Sequence, residues 1–126
     1  MFDSILVANR GEIALRIMRT AQAMGIQTIA IYVDADKDSP HVRFADKAVL
    51  LPDGGYLDID AVLDAAQKSN AGAIHPGYGF LSENAEFAKR VNKENIIWVG
   101  PSPKVISVMG DKLKAKELAT KANVPT

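Results

Sequence analysis

No cysteine occurs among the 126 residues, which excludes disulfides, thiolate metal sites and thiol nucleophiles together. The absence fits a reducing compartment. Neither sign of charge dominates: fifteen Lys plus Arg meet fifteen Asp plus Glu, for a formal net charge of zero. A nonspecific binder of nucleic acid or anionic membranes carries a basic excess, which this chain lacks. Long apolar runs are missing too. The start has no basic flank, and Asn9-Arg10-Gly11-Glu12 interrupts its apolar run at once, which argues against a signal peptide. Nothing reaches the roughly 18 uninterrupted apolar residues that a spanning helix needs, so a soluble, cytoplasmic protein is expected. Histidine is scarce. His41 and His75 stand far apart, without the spacing of a metal site or of a Ser-His-Asp triad.

What is present has the proportions of a globular protein: 48% hydrophobic, 24% charged and 6% aromatic residues. The length suits one compact domain and is too short for two. Ile5-Leu6-Val7-Ala8 reads as a strand. From Ile13 the period changes, and Ala14, Ile17, Met18 and Ala21 fall on one helical stripe, with Gly25 as the C′ residue beyond it. Residues 28–33 read as a strand buried on both faces. A strand, a helix and a second strand in this order form a βαβ unit. The alternation continues: a short turn or helix at Ser39-Pro40-His41, a strand at 48–51, and a helix with Ile59, Val62, Leu63 and Ala66 on one face. A strand follows at 72–75, then a helix carrying Phe87, Ala88 and Val91 for which Ser82 is the expected N-cap, and a strand at 96–99. Ser102 and Asp111 are N-cap candidates for two closing helices, the last with Ala115, Leu118, Ala119 and Ala122 on one face.

Four or five strands separated by helices predict an α/β fold, Rossmann-like and three-layered, with a mainly parallel sheet between helices. Right-handed crossovers then place the functional loops at the carboxyl ends of the strands. Those loops are residues 9–12, 34–40, 76–82 and 101–102. No closing element is evident after Ala122, so the chain is expected to end at a domain boundary.

Few residues point to chemistry by themselves. The first βα turn has one glycine, Gly11, where the dinucleotide fingerprint needs three, and Glu12 would face a pyrophosphate with like charge. Asp34 and Asp36 sit where a ribose-binding acid is expected, but acidic turns after strands are common. The stretch His75-Pro76-Gly77-Tyr78-Gly79-Phe80-Leu81-Ser82-Glu83-Asn84 is the most unusual. Glycines flanking an aromatic, ahead of a helix, allow close approach of backbone to a ligand. A tight connection with Tyr78 and Phe80 packed on the core is the equal alternative. At Met109-Gly110-Asp111-Lys112, Lys112 and Lys116 share a helix face that suits a phosphate, although cations there oppose the helix dipole. Solvated surface lysines are the commoner explanation. His75 is read as a structural hydrogen-bonding residue, and Glu83 and Glu86 as solvated helix residues; no carboxylate pair is assigned to acid–base work.

Together, Val7-Ala8-Asn9-Arg10-Gly11-Glu12-Ile13-Ala14, the 75–84 stretch, Val99-Gly100-Pro101 and Met109-Gly110-Asp111-Lys112 resemble, in order, the start of biotin carboxylase. The resemblance covers nearly the whole chain. It implies that residues 1–126 form the pre-ATP-grasp, Rossmann-like N-terminal domain, with the ATP-grasp and C-terminal domains absent from this chain. The parent of such a domain uses MgATP and bicarbonate to form carboxyphosphate and carboxylates biotin on a carrier protein. By resemblance, Lys112 falls on the ATP-contacting lysine, Tyr78 and Gly79 line the biotin pocket, and Arg19 lies at the dimer interface. The family's ATP lid, its Mg²⁺-binding glutamates and its catalytic residues lie beyond Thr126, so no catalytic residue, no metal site and no tight cofactor binding is expected here. The implied cofactors of the parent are ATP, Mg²⁺ and biotin. The implied partners are the missing domains, a biotin carboxyl carrier, a carboxyltransferase component and a second copy in a homodimer. The loop Leu51-Pro52-Asp53-Gly54-Gly55-Tyr56 is shorter than in many bacterial members. Asn84 resembles acyl-CoA carboxylases rather than pyruvate carboxylases. The competing expectations are the N-terminal domain of another ATP-grasp ligase and a free-standing α/β binding module, with an NAD-dependent dehydrogenase last.

Overall fold

The computed structural model describes residues 2–108. Five strands, β1 (Ser4–Val7), β2 (Gln27–Tyr32), β3 (Lys47–Leu50), β4 (Ala73–His75) and β5 (Ile97–Trp98), form one sheet in the order β3-β2-β1-β4-β5. Every pairing is parallel. Helices α1 (Gly11–Ala23), α2 (Pro40–Phe44), α3 (Ile59–Lys68) and α4 (Ala85–Lys93) connect them, and residues 103–108 are helical after β5. The expected α/β/α architecture is present. Lys112, Lys116, the Asp111 cap and the last predicted helix lie outside the described residues.

Strand alternation decides which helix packs where. Ile5 and Val7 of β1, with Ala30 and Ala73, point to α1 and meet Ala14, Met18 and Ala21. Leu6 of β1, with Ile29, Ile31 and Ile74, points the other way, onto Val62, Ala66, Phe87 and Val91 of α3 and α4. Small Ala30 and Ala73 on the first face leave room for α1 to lie close, while the larger cluster forms on the second. Full burial of a side chain such as Phe87 or Ile74, each 0% exposed, contributes about 1.5–3 kcal/mol.

Helix ends follow from single residues. Gly25 at φ +79 lets its own N–H reach Gln22 O (3.0 Å) and the Ile26 N–H reach Ala21 O (2.9 Å), the Schellman pattern. Asn70 (φ 56) and Asn95 (φ 61) end α3 and α4 in the same way, asparagine being the side chain that best tolerates this region. The Asp58 carboxylate caps α3 by accepting from Ala61 N at 3.1 Å, and the Ser102 hydroxyl accepts from Val105 N at 3.3 Å. Ser82 does not cap α4. Gly79 and Phe80, at φ +72 and +48, turn the chain early into a 3₁₀ turn, Phe80–Glu83. The Ser82 N–H is spent on Gly79 O. Asn84, extended at φ −99 and ψ 105, takes the cap and accepts from Phe87 N at 3.0 Å.

Candidate functional site

In this strand order the chain runs outward from β1 through β2 to β3, and on the other side from β4 to β5. The carboxyl ends of β1 and β4 therefore border the crevice where an open α/β sheet places its ligand site. Three of the loops expected to carry function meet there.

Asn9, 1% exposed, stands just past β1. Its carboxamide donates from Nδ2 to Pro76 O (3.0 Å) and to Tyr78 O (2.7 Å), across to the end of β4. Its Oδ1 accepts from Arg10 N at 2.9 Å. Gly77 is at φ +67, and a Cβ added there would lie 2.6 Å from Asn9 Nδ2, so both conformation and space require glycine. The Gly77 N–H donates to His75 Nδ1 at 3.0 Å, which gives His75 the structural role expected of it. Burial pushes the His75 pKa down. The outcome of these contacts is Tyr78, held out at 76% exposure. The reading that packs Tyr78 on the core is corrected: the ring faces solvent because the left-handed residues on either side of it turn the backbone away from the sheet. Phe80, 41% exposed, instead rests on Tyr56, ring centres 5.4 Å apart.

The second cluster escaped the sequence. Arg10 donates to both carboxylate oxygens of Asp36, from Nε to Oδ2 and from Nη2 to Oδ1, each at 2.7 Å. The Tyr56 hydroxyl donates to Oδ2 at 2.8 Å. The guanidinium hydrogen bonds hold the Asp36 carboxyl down at about 2, against the opposing cost of its burial. The same bonds raise Arg10, and burial, followed by the Asp36 hydrogen bond, pushes the Tyr56 phenol up. Asp36 is thus committed to Arg10 and Tyr56 and is not free for a ribose hydroxyl. Below it His41 is fully buried. Its Nδ1 accepts from Gly11 N (3.4 Å) and its Nε2 lies 3.3 Å from Ile31 O. A donor on one side and an acceptor on the other select the neutral Nε2–H tautomer, and burial lowers its pKa.

Beside Tyr78 an open groove of about 710 Å³ runs along α1, lined by Ile13, Ile17, Met24, His75, Tyr78 and Val99 among others. Of the residues singled out from the sequence, Tyr78 and Gly79 sit at this crevice. Arg19 is exposed on α1, and Lys112 lies outside the described residues. Among the described residues no group of three or more His, Asp or Glu side chains could hold a metal ion, and no helix is long and apolar enough to cross a membrane. Asp36 drew notice as a candidate ribose-binding acid rather than as the partner of Arg10, and Asn9 had one signal, a polar side chain soon after an apolar strand. Tyr56 and His41 had none that separates them from ordinary loop and helix residues.

The family model described as biotin carboxylase, N-terminal domain, matches residues 1–106. Biotin carboxylase 2 of Bacillus subtilis is 49% identical over 129 residues, an alignment covering 99% of this chain and 29% of the relative. The mitochondrial propionyl-CoA carboxylase alpha chain of Homo sapiens is 51% identical over 129 residues, covering 99% of this chain and 18% of that one. The solved structure of a biotin carboxylase–beta-gamma-ATP complex from Campylobacter jejuni matches with a TM-score of 0.86 and 45% identity, over 100% of this chain and 29% of the other. The chain spans less than a third of the length of these relatives.

Proposed function

This chain belongs to the biotin carboxylase N-terminal domain family, and from that premise we propose that it serves as the amino-terminal domain of a larger biotin carboxylase. The parent polypeptide couples MgATP and bicarbonate to the carboxylation of biotin on a carrier, with acyl-CoA as the eventual acceptor through a carboxyltransferase component. The ATP-grasp and C-terminal domains lie on the same polypeptide, the enzyme is cytoplasmic, and this chain alone is inactive. Arg19, exposed on α1, contributes to a homodimer interface. Lys112 contacts ATP.

The observation that carries the reading is Tyr78, 76% exposed at the switch point of the sheet and bordering an apolar groove. Carrier-linked biotin, with its valerate carboxyl tied up in an amide, is neutral and has a flat ureido ring and an apolar body, so an exposed aromatic face beside apolar side chains suits it better than it suits a phosphate. Apart from its chain neighbours, no heavy atom lies within 4 Å of a Cβ added at Gly79, so the rest of the fold leaves that position uncrowded. Among the described residues no cluster of His, Asp or Glu side chains offers magnesium a site.

The test uses the native polypeptide that carries this chain, assayed for biotin-dependent ATP cleavage. Tyr78→Ala raises the KM for biotin about three- to ten-fold, the loss of one aromatic contact. Lys112→Ala raises the KM for ATP about ten-fold or more, the loss of one charge-assisted hydrogen bond worth about 1.5–3 kcal/mol, with smaller effects on biotin. Unchanged biotin kinetics in the first variant, or unchanged ATP kinetics in the second, refutes the corresponding assignment.

A further inference from the structure

We propose that Asn9 is the positioning residue for the 76–80 loop, fixing where the Tyr78 ring stands; the inference rests on the reading of Tyr78 and Gly79 as a wall of the biotin pocket. A carboxamide buried to 1% exposure must find partners or destabilise the fold. Asn9 finds its partners in the loop. Both Nδ2 hydrogens are used, on Pro76 O and Tyr78 O, so the peptide units Pro76–Gly77 and Tyr78–Gly79, one before and one after the Tyr78 Cα, are held from one side chain at the end of β1.

The loop needs such a hold. Gly77 and Gly79 (φ +67 and +72) enter positive φ freely and so leave the loop many alternative paths, while Phe80 at φ +48 is strained and persists only when its surroundings over-determine it. One anchor is Asn9. The other is Phe80 on Tyr56, which is tied through Asp36 to Arg10, the residue after Asn9. Tyr78 lies between the two anchors with 76% of its surface exposed. Its ring is set by its backbone, and that backbone is set by Asn9. The residue type follows as well. Aspartate at position 9 would aim acceptors at two carbonyl acceptors, and a longer side chain would collide with Gly77, which already approaches Asn9 so closely that a Cβ would fall 2.6 Å from Nδ2.

The experiment compares Asn9→Asp, Asn9→Ser, Tyr78→Ala and Val62→Ala in the native polypeptide. Steady-state biotin kinetics are measured together with amide hydrogen exchange over residues 76–80. Val62, 0% exposed on the far face of the sheet, reports what general destabilisation does. Loss of two hydrogen bonds that preorganise the loop corresponds to about a five- to twenty-fold rise in the KM for biotin for Asn9→Asp. Most of the effect falls in KM rather than kcat, exchange in 76–80 quickens by a similar factor, and Asn9→Ser falls between. Val62→Ala lowers the melting temperature and leaves the KM for biotin alone. If Asn9→Asp does not fold, Asn9→Ser, which keeps one donor, carries the measurement. A rise in KM for Tyr78→Ala without one for either Asn9 variant overturns the positioning role and leaves the biotin wall standing. No rise for Tyr78→Ala overturns the wall and this inference with it. An equal rise for Val62→Ala overturns the inference by reducing it to loss of stability.

Discussion

Asp36→Asn is the sharpest perturbation of this fold that leaves side-chain volume unchanged. The carboxylate accepts three hydrogen bonds, two from Arg10 at 2.7 Å and one from Tyr56 at 2.8 Å. An asparagine keeps one acceptor oxygen and turns an NH₂ toward the Arg10 guanidinium, which only donates. The magnitude has two parts. An acid held at about 2 against its ordinary 3.8 stabilises the folded state by about 2 kcal/mol at most above both values. With 48% of the Arg10 side chain exposed, water screens the pair and about 1 kcal/mol is the sounder figure. The buried Tyr56 hydroxyl, competing with Arg10 for one oxygen, adds about 1–2 kcal/mol. The expected loss is about 2–3 kcal/mol, or roughly 10 °C in melting temperature for a chain of this size. Trp98 is the single tryptophan and sits edge-on to buried Phe87 at 5.6 Å, so urea unfolding followed by its fluorescence reads the change directly. The pH dependence supplies a second check. Asp36 has a depressed folded pKa, so its contribution is present above pH 3.8 and is lost as pH falls through about 2; the variant lacks that part of the acid limb. A loss below about 0.5 kcal/mol, the range of an ordinary surface ion pair, would refute the claim that this carboxylate ties the loops after β1, β2 and β3 together.

Other outcomes follow from the same contacts. His41 and His75 both have pKa values lowered by burial from 6.5, so the unfolded chain takes up protons first and stability falls as pH drops below about 6.5. His41→Gln with His75→Gln should flatten urea midpoints between pH 7.5 and 5.5, and a slope that persists in the double variant would exclude these histidines as its source. Gly77→Ala should cost about 2–3 kcal/mol, since it meets both an unfavourable φ and the Asn9 side chain, and a loss below about 1 kcal/mol would show that the contact with Asn9 has little weight; Gly79→Ala, at φ +72 and ψ −160 where essentially only glycine goes, should cost about 1–3 kcal/mol from conformation alone. An immunoblot of source extract with an antibody to this chain should show a band several times 13.6 kDa, and a band at that mass would reduce the carboxylase reading to ancestry.

The sheet was legible because its strands carry their own punctuation. Residues 28–31 are buried on both faces, as a central parallel strand must be, and a run of Ile and Ala without polar alternation announces that. The Schellman end of α1 was readable from Gly25, the only residue type that enters its conformation without cost. Where a boundary was misplaced, two local signals competed. Ser82 and Asn84 are both good caps, and the choice between them was made by Phe80, whose left-handed φ is stabilised by a ring contact with Tyr56, far away in sequence. No local pattern around Ser82 contains that information.

The same reasoning explains what was hidden in the site. Tyr78 and Gly79 were visible because an aromatic between glycines is unusual at any strand end. Asn9, Arg10, Asp36 and Tyr56 are each ordinary residues in ordinary loops; what distinguishes them is that parallel β1, β2 and β3 bring their carboxyl ends side by side, so loops far apart in the chain come within hydrogen-bond reach. A parallel sheet always gathers its loops at one edge, but which polar side chains then pair depends on register and burial. The Ile5↔Thr28 and Ile29↔Lys47 registers are what bring Arg10, Asp36 and Tyr56 together. Bidentate geometry then selects arginine over lysine at position 10, because one planar guanidinium satisfies both Asp36 oxygens. Arg10→Lys should therefore forfeit part of what Asp36→Asn loses, even though the charge is retained.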